Sequence, residues 1–101
     1  MPSYETTPEF RRDAAEAWDF IFEQAGDLRA DRVIDAITES LQTLAETPRI
    51  GTPRPDLSDA EEVRSFVARP YLIVYRPLPA GGILALRLYH TSRDPEGLSR
   101  S

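Results

Sequence analysis

The sequence predicts an α+β domain in which an N-terminal helical hairpin packs on a small antiparallel sheet of three to four strands. Apolar residues recur at three- and four-residue steps through the first half of the chain and alternate in short runs through the second. A proline-rich stretch, 48–56, separates the two regimes. At 101 residues there is room for one domain with one modest core. The whole chain, 1–101, is therefore expected to form a single unit, with a frayed tail over about 95–101.

Each element carries its own signal. Tyr4 to Thr6 can add a short edge strand. Thr7-Pro8-Glu9 is a helix start: a hydroxyl cap, proline at the first helical position and an acid in the first turn. Phe10, Ala14, Ala17, Trp18, Ile21, Phe22 and Ala25 then form an apolar stripe. Gly26 can stop that helix because it tolerates positive φ. Asp27 is the expected cap of a second helix, striped by Ala30, Val33, Ile34, Ile37, Leu41, Leu44 and Ala45 and closed by Pro48. So short a connection makes the helices antiparallel. Three strands are expected at Val63–Val67, Tyr71–Arg76 and Ile83–Tyr89, with Pro79-Ala80-Gly81-Gly82 as the last turn. Hairpin connections make this sheet antiparallel, with one face toward the helices.

Composition narrows the chemistry. The chain has no cysteine and one histidine, which removes thiolate chemistry and transition-metal clusters, and no cofactor is expected. The longest apolar runs are far short of a membrane span, and Met-Pro-Ser-Tyr-Glu does not read as a signal peptide. A cytoplasmic protein is expected. All twelve basic residues are arginine. Residues 1–62 carry a net charge of −9 and residues 63–101 a net of +4. The overall acidity opposes wrapping around nucleic acid, whose binding draws on neutralised phosphates. No direct sequence-specific nucleic-acid binding is expected. Gly81-Gly82 lies between strands and opens no helix, so it is no phosphate loop. Trp18, Phe20 and Phe22 are expected in the core or rim of the helix packing and not as a base-stacking platform.

In this order the segments resemble a known family. They are the aromatic helix centre Ala17-Trp18-Asp19-Phe20-Ile21, then Leu44-Ala45-Glu46-Thr47-Pro48-Arg49-Ile50-Gly51, then Arg54-Pro55-Asp56-Leu57 and Arg64-Ser65-Phe66. Tyr71-Leu72-Ile73-Val74-Tyr75-Arg76 follows, and Leu86-Arg87-Leu88-Tyr89-His90-Thr91-Ser92-Arg93-Asp94 closes the series. Together they look like the ParE toxins of the ParE/RelE superfamily, over roughly residues 4–94. The resemblance implies a compact microbial ribonuclease-like α+β fold and a toxin of a type II toxin–antitoxin pair. It also implies a ParD-like antitoxin whose flexible C-terminal segment folds onto the toxin, and DNA gyrase as the target of the free protein. RelE-type relatives instead cut messenger RNA on the ribosome.

The cleavage chemistry of that second branch is poorly provided for here. Cutting RNA without a metal requires deprotonating the 2′-hydroxyl and stabilising charge on the phosphorane. The resemblance places Val63, Ser65 and Leu72 where the nuclease branch carries cations. Arg93 remains at the late arginine position, and no tyrosine follows it. His90 is suited to general acid–base work, and Arg64 and Arg87 can approach it depending on register. Its other reading is structural, capping the last strand. His90, Arg93, Arg64 and Arg87 are thus the nuclease candidates. Arg64, Arg69, Arg76, Arg87 and Arg93 are the candidates for gripping an antitoxin or target, because a guanidinium binds carboxylates in bidentate fashion. Any of these five arginines can equally be paired with the acidic helices.

Overall fold

A computed structural model describes residues 3–93. The expected frayed tail, 95–101, and Asp94 of the closing motif lie outside the described residues. The elements run β1 (Tyr4–Thr6), α1 (Pro8–Ala25), α2 (Asp27–Glu46), β2 (Thr52–Pro53), β3 (Arg64–Ala68), β4 (Tyr71–Pro77), β5 (Ile83–His90) and a 3-10 turn at Thr91–Arg93.

The start of α1 follows its sequence signal. Thr7 caps it by accepting Phe10 N–H on Oγ1 at 3.0 Å, and Pro8 takes the first turn. The start of α2 differs from expectation. Gly26, at φ +90°, ends α1 by donating its N–H to Phe22 C=O and then caps α2 itself, accepting Ala30 N–H. Asp27 makes no capping bond and is the first helical residue, where its charge suits the N-terminal dipole. One glycine therefore does both tasks, because only its backbone turns that sharply without strain.

The sheet has five strands in the order β1-β5-β4-β3-β2. The three long hairpin-connected strands are antiparallel as expected. The expectation of a wholly antiparallel sheet is corrected at one edge, where β1 pairs parallel to β5, Tyr4 opposite Ile83 and Thr6 opposite Ala85. The neighbour of β1 is the last strand and not the next one, so no local turn sets its direction. β2 is also additional to the expected three or four strands, two residues inside the proline-rich loop that pair with Ser65 and Arg64. Two residues are too few to show a period-two pattern.

Phe10 and Ala17 of α1 and Ile37, Leu41 and Leu44 of α2 are buried on one sheet face against Tyr71, Ile73, Tyr75, Ile83, Ala85 and Leu88. The other face is not simply solvated. Val63, Leu72 and Val74 are buried there, with Leu57 of the 54–63 loop, Leu86 and Tyr89 packed against them. Residues 71–75 of β4 are consequently buried on both faces, which is why that run is continuously apolar. Trp18 sits at the rim, stacked on Phe22 at 5.1 Å and donating from Nε1 to Asp31 at 3.0 Å. Phe20 and Phe22 lie outside the core, 56% and 48% exposed.

Candidate functional site

The edge strand stops early, and this creates the site. β1 covers β5 only as far as Ala85. Thr7 then turns the chain away: its N–H bonds Ala85 C=O at 3.1 Å, and its hydroxyl donates to Leu86 C=O at 2.8 Å. From there α1 climbs past β5, which continues to His90 paired with β4 but without a strand on the β1 side among the described residues. The gap is a cleft of about 550 Å³. Asp13, Glu16, Ala17 and Phe20 of α1 form one wall, and Arg87 to His90 with Ser92 and Arg93 form the other, with Tyr71 of β4 also lining it. Such a cleft, lined by Ala17, Phe20, Tyr71 and Leu88 together with charged side chains, suits a peptide segment better than a compact polar ligand.

Asp13 bridges the walls. Its Oδ2 accepts from Arg87 Nε at 2.7 Å and from Leu88 N–H at 3.0 Å, while Oδ1 accepts from Arg87 NH2 at 3.2 Å. The Asp13 carboxylate holds the Arg87 guanidinium above its ordinary pKa. Arg87 also lies 5.0 Å from the Tyr89 ring centroid, in reach of a cation–π contact. Burial raises the Tyr71 phenol above its usual pKa, so the floor of the cleft is uncharged at neutral pH. His90 packs edge-on against Tyr71 at 5.5 Å. Its Nδ1 accepts Ser92 N–H at 3.2 Å and lies 2.9 Å from Ser92 Oγ. In the neutral ring that contact places the proton on Nε2.

The four nuclease candidates do not converge. Arg64 stands opposite Tyr75, whereas His90 stands opposite Tyr71, four residues away along β4. At about 3.3 Å per residue that is roughly 13 Å. Arg64 is occupied locally, donating to Glu62 at 2.8 Å, to Arg49 C=O at 3.0 Å and to Gly51 C=O at 2.7 Å. Of the five candidate binding arginines, only Arg87 and Arg93 reach the cleft. Arg69 lies exposed in the β3–β4 turn, and Arg76 lies 3.9 Å from Glu61. Arg93 is exposed and has no ion pair among the described residues.

Sequence reasoning missed Asp13 and Phe20 as parts of the site. Asp13 reads as one more solvated acid on α1, because its partner Arg87 lies 74 positions away. It also singled out no role for Arg54, which is buried and gripped by Asp56 at 3.0 and 3.1 Å and bonded to Ser65 at 3.2 Å. Through Ser65, and through its own N–H to Val63 C=O, Arg54 ties the proline-rich loop to β3 and the residue before it. Among the described residues no three side chains come together to hold a metal, and no helix is long and apolar enough to cross a membrane.

Comparison with known proteins agrees with this architecture. The family model described as the ParE toxin of type II toxin–antitoxin system, parDE, matches residues 4–95. Among solved structures, the chromosomal ParDE toxin–antitoxin system from P. aeruginosa contains a similar chain, at TM-score 0.71 and 24% identity. The match covers 89% of this chain and 96% of that one, and at such identity it speaks for the fold alone. No curated protein sequence matches the chain.

Proposed function

The chain belongs to the ParE toxin family of type II toxin–antitoxin systems, and on that premise we propose how it acts. A ParD-like antitoxin neutralises it by seating an extended segment in the cleft between α1 and β5. The freed protein inhibits DNA gyrase in the cytoplasm by protein–protein contact and does not cut RNA.

The observation that carries the second half is how few unpaired cationic groups the cleft offers, since Arg64 lies apart from it and Arg87 is paired. A dianionic phosphorane needs several donors converging within about 3 Å of its oxygens. Here Arg64 is committed to the 49–51 loop and Arg87 is committed to Asp13. The arrangement favours docking. Arg93, without an ion pair among the described residues, lies beside apolar lining in which Phe20 is more than half exposed, and an acidic, partly apolar peptide complements both features. A RelE-like reading rests on His90, Arg87 and Arg93 sharing one cleft, and it remains the alternative to be tested.

Inducing the protein in host cells, with and without the neighbouring antitoxin frame, distinguishes the two. Growth arrest that the antitoxin relieves, and that His90→Ala retains with messages intact, is the expected outcome. Arrest that disappears in His90→Ala together with message cleavage would establish the nuclease instead.

A further inference from the structure

The tip of the helical hairpin carries an apolar surface that the fold does not use. Ala17 and Ile21 take the side of α1 that packs on the core, which leaves Trp18 and Phe22 one turn apart on its flank. Their rings stack at 5.1 Å and 9° from parallel, and Trp18 Nε1 donates to Asp31 of α2 at 3.0 Å. That bond sets the level of the two helices. Phe22 lies one turn nearer the tip than Trp18, and Leu28 one turn nearer the tip than Asp31, so the two come side by side. Leu28 is 72% exposed and Phe22 48%, and neither belongs to a buried cluster. Phe20 is separate from this surface: two residues from each aromatic, it lies roughly 200° round the helix, on the cleft side.

The charge around the tip is one-sided. Residues 16–35 hold six acids against two arginines. Asp19 and Glu23 stand four residues apart on α1, and Asp27, Asp31 and Asp35 repeat that spacing on α2. Like charges so placed cost helix stability, so the fold gains nothing from them. Apart from Asp31, which holds Trp18, none of the five carboxylates bonds another described residue. An apolar centre ringed by unpaired charge is the make-up of a protein interface, and the sign of the charge selects the occupant. A second copy placed tip to tip would set carboxylates against carboxylates. A protein that handles DNA carries lysines and arginines for its phosphates, and these complement the ring.

We propose that the freed toxin engages its topoisomerase target through this hairpin tip. Trp18, Phe22 and Leu28 are the apolar anchor, and Asp19, Glu23 and Asp27 meet cations of the target. This deepens the gyrase reading and rests on it. Cleft and tip then serve different partners from opposite sides of α1. A helix with its side chains is only about 10–12 Å across, so an antitoxin seated in the cleft stands beside the tip and obstructs so large a partner.

The test is calorimetric affinity of the toxin for purified DNA gyrase and, separately, for purified antitoxin. Phe22→Ala/Leu28→Ala is expected to weaken gyrase binding by roughly tenfold or more and to leave antitoxin binding within about twofold of wild type. Leu28→Ala alone disturbs no core, and a loss of roughly fivefold there keeps the test decisive should the double variant fail to fold. Asp19→Asn/Glu23→Gln is expected to weaken gyrase binding about fivefold at low salt and less than about twofold near 0.5 M, where screening removes the attraction. Variants that bind gyrase as wild type does overturn the tip and leave the gyrase reading standing. Equal losses toward gyrase and antitoxin mean one shared surface and overturn the proposal, as does a wild-type dimer in sedimentation that Leu28→Ala dissociates. Wild-type toxin that binds no gyrase overturns both readings.

Discussion

Asp13 fastens α1 to the open half of β5, and a double-mutant cycle with Arg87 separates its two roles. The pair is bidentate at 2.7 and 3.2 Å, with the Asp13 side chain 11% exposed and Arg87 43% exposed. Because the guanidinium is more than a third exposed, water screens it. The coupling should then be about 1 kcal/mol, the upper end for surface pairs. The bond to Leu88 N–H at 3.0 Å is a separate contribution, worth roughly 1–2 kcal/mol for an amide accepted by a carboxylate. Asp13→Ala should cost about 2–3 kcal/mol in all, and Arg87→Ala about 1–2 kcal/mol. Asp13→Asn keeps an acceptor for Leu88 N–H and loses the charge, so it should cost about 1 kcal/mol. Urea unfolding of the single and double variants at constant m-value measures these terms. A coupling below about 0.3 kcal/mol, the limit of simple additivity, would refute the claim that this pair ties the cleft together. So would an Asn variant as damaged as the Ala variant.

Tyr75→Phe should destabilise the fold by about 2–3 kcal/mol in the same assay. Its hydroxyl donates to Pro48 C=O at 2.7 Å and accepts buried Gly51 N–H at 3.0 Å, so the loop loses both anchors at once. Arg64 and then Arg49 hold the Glu62 carboxyl below its usual 4.5. A lowered folded-state pKa stabilises above the unfolded value and loses that contribution as pH falls through the folded one. The stability gap between wild type and Glu62→Gln should accordingly be present near neutrality and close on acidification below 4.5; a widening gap in acid would contradict it. Phe20→Ala, at a side chain 56% exposed, should leave unfolding within about 0.5 kcal/mol of wild type. Its antitoxin affinity, measured by calorimetry, should fall roughly tenfold.

Local signals transmitted well from sequence to structure. Thr7-Pro8 capped α1, Gly26 ended it, and both helical stripes faced the core at Ala17, Ile37, Leu41 and Leu44. The three long strands fell within a residue or two of their expected bounds. What stayed hidden was long-range. The parallel docking of β1 on β5 depends on a partner about 80 residues downstream, and no turn between them fixes its direction. β2 depends on Arg64 and Ser65 lying opposite it. The same limit applied to the cleft. Arg87, Arg93 and His90 were visible because arginine and histidine advertise chemistry, but Arg64, grouped with them by type, proved to be a loop clamp. Asp13 and Phe20 looked like ordinary members of an amphipathic helix. Only the early end of β1 leaves a gap that turns them into a wall.

A supercoiling titration with purified protein and DNA gyrase, run with and without the antitoxin, bears most directly on function. Protein–protein inhibition predicts that the chain alone stops supercoiling without any nucleotide being cut, and that one equivalent of antitoxin restores it. Undiminished gyrase activity at saturating toxin, alongside shortened message in a translating extract, would contradict it.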